Sequence, residues 1–440
     1  MQEKNLIFLT MVRMADIRRR GIYTDLLRKF QSEGWNIYVV TPHERSMGLP
    51  TELKENGGVH FLGVKTLNLQ KTNAIEKGVG QVLVESQFTS AIKKYLSDVK
   101  FDLVLYSTPP ITFPKVIAYL KRQNPQALTY LLLKDIFPQN AVDLGMMSKT
   151  GVKGVLYRFF RRKEKKLYAL SDYIGCMSPA NVEYVLRHNP EVSPAKVEVA
   201  PNSVEAPCPP KGEKSNDEEC SPSRGSGGIR EKYGLPTDKP IFIYGGNLGK
   251  PQGIPFLMEC LEANAKRTDC HFVVIGTGTE MPRLKAWYDN LNANLNANAN
   301  ENSKPSTVNG KLNITVMKGL PKAEYDELVR ACDVGLIFLD HRFTIPNFPS
   351  RLLSYLENRM PVLCATDPNT DMGRIAEEND FGYWCESNSV EAFTAVLDKM
   401  IAADRQTMGE KGYEYLKTNY TVENTYGAII SHFGEHEAHE

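Results

Sequence analysis

The sequence lacks the features that mark disulfide-stabilised, zinc-binding and strongly basic proteins. Its eight cysteines show no CxxC or other paired spacing, and they stand at positions 176, 208, 220, 260, 270, 332, 364 and 385. This scatter argues against a disulfide framework or a structural zinc site, and it is typical of a reducing cytosol. The formal net charge is only +1, so the overall charge does not favour nucleic acid as a partner.

Long hydrophobic runs are also absent. No stretch approaches the roughly 18 apolar residues of a membrane span, and the N-terminus, MQEKNLIFLTMVRM, enters a predicted strand without the pattern of a signal peptide. We therefore predict a cytoplasmic protein. The hydrophobic content of 42% and charged content of 24% are those of a globular protein. At 440 residues the chain exceeds one ordinary core, so two domains are expected.

The most informative stretch reads IFIYGGNLGKPQGIPFLM, from Ile241 to Met258. Its first four residues predict a buried strand, a glycine-rich loop that contains Lys250 follows, and a helical apolar pattern comes next. A strand, a glycine loop and a helix N-terminus together present backbone N–H groups to an anion, and Lys250 adds a full positive charge. A tight turn without a ligand explains this loop equally well, so the neighbouring segments decide between the two.

Strands alternate with helical segments through the first half, which predicts a doubly wound domain over residues 1–202. The first predicted strand, residues 5–10, leads through three arginines to a helix that begins near Gly21. Such a corner is suited to an anion, and a solvated basic turn is an equally good interpretation. A later strand, residues 127–133, runs into Asp135, at the edge where open α/β sheets bind ligands. Asp135 could orient a hydroxyl, although capping of the next turn is the commoner role.

Residues 149–166 carry eight Lys or Arg against one Glu, interleaved with valine, leucine, tyrosine and phenylalanine. A basic, aromatic, amphipathic helix is suited to an anionic membrane surface, to which each basic residue contributes roughly 1 kcal/mol. A core helix with a solvated basic face is the alternative. We favour the membrane because the charge of the whole chain is near zero while that of this segment is not.

The composition changes after residue 202. Residues 203–237 are rich in proline, glycine, serine and charge, so we predict a flexible linker. Strands and helices alternate again over residues 238–415, which predicts a second doubly wound domain. Its Asn-rich tract, residues 291–309, is expected to be a surface insertion without a core. Residues 416–440 are expected to form a helix that crosses back to the N-terminal domain.

Three further segments of the second half point to the edge where the glycine loop is expected. The predicted strand HFVVIG ends in a second glycine turn with Gly276 and Gly278, and the strand NITVMKG ends before Leu320. Ser350 and Arg351 lie at the predicted start of a later helix, where a hydroxyl and a guanidinium can hold a diphosphate. Each segment alone has an ordinary structural explanation, but four in one domain favour a phosphate-binding site.

Six segments carry a resemblance to a known family: GGNLGKPQGI, VIGTGTE, KGLPKAEYDELVRACDVGLIFL, PSRLLSYLENRMPVL, KDIFPQNAVDLG and VAPNSVE. The sequence resembles the retaining nucleotide-sugar glycosyltransferases of family 4, especially the branch that builds bacterial capsule and O-antigen polysaccharides. The resemblance implies an α/β fold with two facing Rossmann-like, doubly wound domains and an interdomain cleft, which is the GT-B architecture. It also implies an acceptor in the N-terminal domain, a nucleotide-sugar donor in the C-terminal domain, and no metal or other cofactor.

The resemblance assigns roles to individual residues by position. Catalytic roles are implied for Asp135, Lys250 and Arg351. Acceptor binding is implied for Arg19, Gly21 and Tyr23. Donor binding is implied for Gly246, Asn247, Gln252, Gly276, Gly278, Leu320, Ser350 and Ser354. Many relatives have a glutamate pair where this chain has Pro346 and Ser354, so the ribose of the donor must be held in another way.

The function implied is transfer of a sugar, with retention of configuration, from a nucleoside-diphosphate sugar to a lipid-linked oligosaccharide. We expect a UDP-linked donor, a role in surface polysaccharide synthesis, and a peripheral location at the inner face of the plasma membrane. A nucleotide-sugar epimerase on the same fold and a non-catalytic, nucleotide-binding scaffold of a polysaccharide assembly are the alternatives. An NAD-dependent oxidoreductase is disfavoured because no GxGxxG followed by an acidic residue is present.

Overall fold

The computed structural model describes residues 4–69, 74–205, 227–301 and 312–437. This part of the chain divides into two compact units. The first unit holds the chain up to Glu205, the short segment Ile345–Phe348 and the chain from Tyr420 onward, and the second unit holds the rest. Each unit contains one largely parallel sheet flanked by helices, so the predicted class of two Rossmann-like α/β domains is confirmed.

The first unit has an eight-stranded sheet in the order β3-β4-β2-β1-β5-β6-β7-β8, in which only β3 is antiparallel to its neighbour. Its strands are β1 (Asn5–Leu9), β2 (Asn36–Glu44), β3 (Glu52–Asn56), β4 (Val59–Thr66), β5 (Leu103–Ser107), β6 (Leu128–Leu133), β7 (Tyr173–Cys176) and β8 (Val197–Val199). Its first six helices are α1 (Ile22–Ser32), α2 (Ala74–Tyr95), α3 (Pro114–Gln123), α4 (Gln139–Asp143), α5 (Gly151–Leu170) and α6 (Pro179–His188).

The second unit has a six-stranded parallel sheet in the order β11-β10-β9-β12-β13-β14. Its strands are β9 (Ile241–Asn247), β10 (His271–Thr277), β11 (Ile314–Lys318), β12 (Val334–Phe338), β13 (Val362–Thr366) and β14 (Gly382–Glu386). Its helices are α7 (Gly227–Lys232), α8 (Ile254–Ala263), α9 (Met281–Glu301), α10 (Lys322–Arg330), α11 (Arg351–Glu357), α12 (Met372–Glu378), α13 (Val390–Ala402) and α14 (Arg405–Asn419).

The central strands are mostly apolar because helices cover both faces of each sheet. All the residues of β5, β6 and β12 are buried, as expected for parallel strands rather than for strands with one solvated face. In the first unit two separate apolar clusters lie on the two sides of the sheet, one around Phe88 and Phe113 and the other around Phe30 and Tyr130. This arrangement leaves the carboxyl ends of the strands as the polar edge of each sheet.

The last helix, α15 (Val422–Glu437), belongs to the first unit. It packs on α1, where the rings of Phe30 and Tyr426 lie 4.8 Å apart, and Trp35 meets Phe433 at 5.4 Å. The helix before it, α14, runs across the predicted boundary at residue 415 and ends at Asn419, so the chain changes units between α14 and α15.

Two segments differ from the sequence prediction. The hairpin of β3 and β4 was not predicted, although its turn at Gly57 and Gly58 is a typical hairpin signal. The Asn-rich tract was predicted to be a surface insertion without a core, and its helical structure was not predicted: α9 continues through it to Glu301. Leucine and alanine, which favour helices, alternate with its asparagines, and Leu291 packs against the core of the second unit. Residues 302–309 of the tract lie outside the described residues.

The predicted linker, residues 203–237, contains ordered structure at both ends. Val204 pairs with Thr421 in a short parallel bridge, and α7 occupies residues 227–232. After α7, Leu235 is buried, and the buried Arg230 donates hydrogen bonds to the Ala331 carbonyl and the Asp333 carboxylate. The composition of the segment did not reveal these buried residues because they are few. Residues 206–226 of the predicted linker lie outside the described residues.

Candidate functional site

The glycine loop of the second unit connects β9 to α8 through residues 248–253. A short 3-10 turn at Lys250–Gln252 leads into Gly253, whose φ of 57° is in the left-handed region that glycine favours. The loop is held by the neighbouring turn, since the Leu248 N–H donates to the Thr277 carbonyl (2.9 Å) and the Leu248 carbonyl accepts from Glu280 N–H (2.9 Å). Predicted as separate motifs, the two turns form one structure.

Gly276 and Gly278 are needed for the close approach of these two turns. A Cβ atom at Gly276 would lie 1.9 Å from the carbonyl oxygen of Gly246, and one at Gly278 would lie 2.2 Å from that of Leu248. The third predicted turn joins them, because the N–H of Gly319, next to Leu320, donates to the Gly276 carbonyl at 3.0 Å. The three turns therefore lie together at the carboxyl edge of the second sheet. A nucleoside contact at these residues stays a prediction.

Arg351 begins α11 and reaches back to the glycine loop. Its guanidinium lies 4.3 Å from the centroid of the Tyr244 ring, and its Nη2 donates to the Gln252 side-chain oxygen at 2.6 Å and to the Asn247 carbonyl at 3.5 Å. Its other terminal nitrogen, Nη1, is buried and has no hydrogen-bond partner among the described residues. Nor does any described carboxylate form an ion pair with Arg351, so the site keeps an uncompensated positive charge.

Lys250 is the second cation of the site. It is exposed at the first position of the 3-10 turn, and within the described residues no carboxylate pairs with it. Two cations without an acidic partner, next to exposed backbone at Gly246 and Asn247, form a site that is suited to an anion.

Two tyrosines that the sequence analysis missed hold this arrangement. Tyr244 at the end of β9 provides the surface on which Arg351 stacks, and its hydroxyl donates to the Asn247 carbonyl at 3.1 Å. Tyr355 of α11 is fully buried, and its hydroxyl accepts from the Gly245 N–H (3.2 Å) and donates to the Ile243 carbonyl (3.1 Å). The aromatic residues in IFIYGG and in SYL were the available signal, but apolar strands and helices contain such residues routinely.

The predicted serines of α11 are less constrained. Ser350 precedes the helix and is exposed, and its hydroxyl makes no capping hydrogen bond. Ser354 is half-buried in the second turn of α11, at the position where many relatives carry a glutamate, and Leu320 is half-buried after β11. Their roles in donor binding stay predictions.

In the first unit, Asp135 lies two residues beyond the end of β6. Both of its carboxylate oxygens accept a hydrogen bond from the Asn140 side-chain amide, at 2.8 and 3.0 Å. The Thr108 hydroxyl, which follows β5, accepts from the backbone N–H groups of Lys134 and Asp135. Burial raises the pKa of Asp135 to about 6, and the hydrogen bond from Asn140 opposes this shift.

Lys134 points to a different neighbour. Its ammonium donates to the carbonyl of Ala200 at 3.0 Å, which ties the end of β6 to the segment that follows β8. Burial lowers the pKa of Lys134 to about 7. Neither Asn140 nor Lys134 was predicted, although both lie in the segment KDIFPQN that contains Asp135.

The predicted acceptor residues Arg19, Gly21 and Tyr23 line one cavity of about 670 Å³ in the first unit, with the rest of its wall drawn from residues 12–24. The guanidinium of Arg19 has no ion pair with a described carboxylate. Tyr23 shares a hydrogen bond with Ser107, and burial raises the pKa of its hydroxyl. The structure thus brings the three residues together, and their role in acceptor binding stays a prediction.

The basic segment forms α5, a helix with two different faces. Phe160, Glu164, Leu167 and Tyr168 are buried in the first unit. The other face is apolar and exposed near the N-terminal end, at Val152 (90%), Val155 (59%), Leu156 (50%) and Phe159 (37%). This face has the spacing i, i+3, i+4, i+7 of a helical stripe.

The sequence indicated neither a metal site nor a membrane-spanning helix. Among the described residues, no group of three or more His, Cys, Asp or Glu side chains could hold a metal ion. No helix in the described ranges is both long enough and apolar enough to span a membrane.

The chain is similar to known proteins both in its second unit and along most of its length. Residues 227–415 match the family model described as Glycosyl transferases group 1. Over 355 residues the chain is 23% identical to the Pseudomonas aeruginosa protein named Probable glycosyltransferase WbjE, a match that covers 80% of this chain and 78% of that protein.

Two solved structures show the fold. Sucrose-phosphate synthase (tll1590) from Thermosynechococcus elongatus matches with a TM-score of 0.70 and 14% identity over 100% of both chains. The E. coli trehalose-6-phosphate structure bound with UDP-2-fluoro glucose matches with a TM-score of 0.70 and 10% identity, over 97% of this chain and 98% of that one. The chain has the GT-B fold of these proteins, and the family match together with the Pseudomonas relative supports glycosyltransferase activity.

Proposed function

We propose that the chain transfers a sugar from a nucleoside-diphosphate sugar to a hydroxyl of a lipid-linked oligosaccharide, with retention of configuration. One observation carries the proposal: within the described residues, Arg351 beside the glycine loop has a buried nitrogen without a hydrogen-bond partner, and Lys250 on that loop has no carboxylate partner. A diphosphate supplies the acceptor oxygens and the negative charge that this pair of cations lacks.

In this mechanism the second unit stabilises the leaving diphosphate. Gln252 and Tyr244 hold the guanidinium of Arg351 in place, so that its Nη1 is available to a phosphate oxygen. The exposed Lys250 supplies the second charge, and the N–H groups of the loop supply neutral donors. No metal is needed for this charge balance. We propose UDP as the nucleotide, by analogy with the E. coli structure bound with UDP-2-fluoro glucose.

The remaining predicted residues complete the proposed donor site. Gly246 and Asn247 would offer backbone groups to the phosphates, Gly276, Gly278 and Leu320 would flank the nucleoside, and Ser350 would bind phosphate. Ser354 stands where a carboxylate would hold the ribose, so its hydroxyl is the proposed substitute. A hydroxyl makes a weaker hydrogen bond to the ribose than a carboxylate does. A larger share of the donor's binding energy would therefore come from the diphosphate.

The first unit would bind and orient the acceptor. Asp135 stands at the carboxyl edge of the sheet, where its carboxylate can orient the acceptor or the sugar by accepting a hydrogen bond from a hydroxyl that does not react. Retention follows if the leaving diphosphate oxygen takes the proton of the reacting acceptor hydroxyl on the same face of the sugar, so that the enzyme contributes position and charge rather than a nucleophile. Arg19, Gly21 and Tyr23 would contact the acceptor in their shared cavity.

We further propose that α5 holds the enzyme at an anionic membrane, where a lipid-linked acceptor is found. Four exposed apolar side chains follow the helical stripe described above, and the basic residues Lys153, Arg158 and Arg162 are exposed beside them. Apolar insertion together with positive charge is the combination that binds an anionic bilayer surface. The location would be the inner face of the plasma membrane, and the role would be in surface polysaccharide synthesis.

The test is transfer of a labelled sugar from a panel of nucleotide sugars to a lipid-linked saccharide, with the anomeric configuration of the product determined by NMR. Transfer with retention supports the proposal. Conversion of the nucleotide sugar without an acceptor would instead identify an epimerase. Nucleotide binding without turnover on any acceptor would favour a non-catalytic scaffold.

A further inference from the structure

Three loops are joined at the carboxyl edge of the first sheet. Thr108, after β5, bonds to the backbone of Asp135, after β6. The Lys134 ammonium bonds to the Ala200 carbonyl, after β8. Because β5, β6, β7 and β8 are neighbours in the sheet, these contacts gather the loops at one place. It is the edge at which sheets of this kind bind ligands.

Among the described residues, some side-chain oxygens at this edge are buried without a hydrogen-bond partner. They are Oγ1 of Thr112, Oδ1 of Asn140 and Oδ1 of Asn202. Thr112 and Asn202 are 3% and 8% exposed, so solvent reaches them little. A buried polar atom without a partner is costly, and a ligand at this edge would supply the missing hydrogen bonds.

The orientation of Asn140 follows from its contact with Asp135. An ionised carboxylate can only accept hydrogen bonds, so the group that lies 2.8 and 3.0 Å from its two oxygens is the amide NH₂ of Asn140. The oxygen Oδ1 is therefore directed away from Asp135, and it can only accept. A ligand that meets this oxygen has to present a donor.

We propose that Asn140 positions Asp135 through its NH₂ group and binds a hydroxyl of the acceptor saccharide through its free Oδ1. The inference rests on the proposed function for the identity of the ligand as a saccharide. The chemistry of the pair favours a neutral polyol, because the carboxylate of Asp135 and the Oδ1 of Asn140 are both acceptors and a sugar offers adjacent hydroxyl donors. An anionic group would be repelled by Asp135.

Asn140 also affects the charge of Asp135. The carboxylate of Asp135 accepts hydrogen bonds from the amide of Asn140 on α4 and from the backbone N–H of Ile136. The Thr108 hydroxyl contacts only the backbone of Asp135, and the ammonium of the adjacent Lys134 is engaged by Ala200. A donor to both oxygens stabilises the ionised form. Loss of Asn140 therefore raises the pKa of Asp135 further, which a purely structural role would not do.

The experiment compares full-length Asn140→Ala and Asn140→Asp with the wild type and with Gln139→Ala. Gln139 is the matched control, since it lies next to Asn140 on α4 but donates to Asp143 rather than to Asp135. The carboxyl of Asp135 is titrated by NMR on ¹³C-labelled protein, with Asp135→Asn to assign its signal. The Michaelis constants for donor and acceptor are measured with a short-chain prenyl diphosphate-linked monosaccharide as acceptor.

In both Asn140 variants we expect the pKa of Asp135 to rise and the acid limb of the pH–rate profile to move with it. In Asn140→Ala the acceptor KM rises about tenfold, the size of one lost hydrogen bond, while the donor KM is unchanged. An unchanged titration together with an unchanged acceptor KM overturns the inference. If the wild type transfers no sugar, the proposed function fails, and the titration still decides whether Asn140 positions Asp135.

Discussion

Arg351 stacks on Tyr244 with its guanidinium carbon 4.3 Å from the ring centroid, although the two residues lie on different elements of the second unit. The stacking leaves the edge of the guanidinium available for hydrogen bonds. Nη2 donates one to Gln252, and Nη1 has no partner in the part of the chain that the structure describes. A rigidly held arginine loses little side-chain entropy when it binds a phosphate. We therefore propose that the arrangement is preorganised to bind an anion.

Removal of either cation should weaken catalysis. Lys250→Ala and Arg351→Ala are each expected to lower turnover by roughly tenfold or more, since a charge-assisted hydrogen bond is worth about 1.5–3 kcal/mol. Initial rates with saturating donor measure the effect. Lys266→Ala, which removes an exposed lysine elsewhere in the second unit, serves as the control and should leave the rate unchanged. Full activity in both site variants would remove the diphosphate clamp from the mechanism.

Gln252 offers a test that changes charge without changing shape. Gln252→Glu places a carboxylate 2.6 Å from Arg351 and neutralises it, whereas Gln252→Ala only removes a hydrogen bond. We expect UDP to bind more weakly to the Glu variant than to the Ala variant, as measured by titration calorimetry. Equal affinities for the two variants would show that the charge of Arg351 is not used.

Gly276 should be intolerant of a side chain. A Cβ atom there would meet the Gly246 carbonyl oxygen at 1.9 Å, so Gly276→Ala must separate the two turns of the site. Overpacking of this kind costs about 1–3 kcal/mol in the free energy of unfolding, and donor binding should fall as well. Chemical denaturation measures the first effect. Gly228→Ala is the control, because nothing lies within 4 Å of its added Cβ, and a stability no lower than that of the wild type is expected there.

Because of Asp135, enzyme activity and the free energy of unfolding should change with pH in opposite directions. Burial raises its pKa to about 6, so the carboxylate and the turnover that depends on it should be lost as the pH falls below about 6. The unfolded chain releases this proton near pH 4. Between about pH 4 and pH 6 the folded chain therefore binds more protons than the unfolded chain, and the free energy of unfolding decreases as the pH rises.

The substitution Asp135→Asn separates the two effects. It should lower turnover at least tenfold at pH 8, while its melting temperature should exceed that of the wild type more at pH 8 than at pH 4. Differential scanning calorimetry at the two pH values measures the difference. Asp143→Asn, which changes a neighbouring carboxylate on α4, controls for general effects of charge. A difference in melting temperature that does not depend on pH would contradict the raised pKa.

The exposed stripe of α5 should bind anionic vesicles. Leu156→Glu removes an apolar contact and adds a repelled charge, so we expect at least a tenfold loss of binding to vesicles of phosphatidylglycerol and phosphatidylcholine, measured by co-sedimentation. Val199→Glu changes a similarly exposed apolar residue outside α5 and should bind as the wild type does. Equal binding of the two variants would show that α5 is not the membrane contact.

The sequence by itself was sufficient for the fold class. Parallel strands such as β5, β6 and β9 are buried on both faces, so they must be apolar runs, and such runs are readable without the structure. The glycine turns were also readable, because a close approach of backbones excludes a side chain and leaves glycine in the sequence. The continuation of α9 into the Asn-rich tract was not predicted, because the asparagine-rich composition hides the helix-forming leucines and alanines between the asparagines.

Only the tertiary structure decided which of the candidate residues meet. Arg351 and Gln252 are 99 positions apart, and nothing local to either residue predicts their contact. Asn140 lies only five positions from Asp135, yet its role depends on how the turn after β6 folds back, which the residue types do not specify. Periodicity and glycine content are local properties of the chain. The pairing of a guanidinium with an amide, and the burial that raises the pKa of a carboxylate, arise only when distant segments pack together.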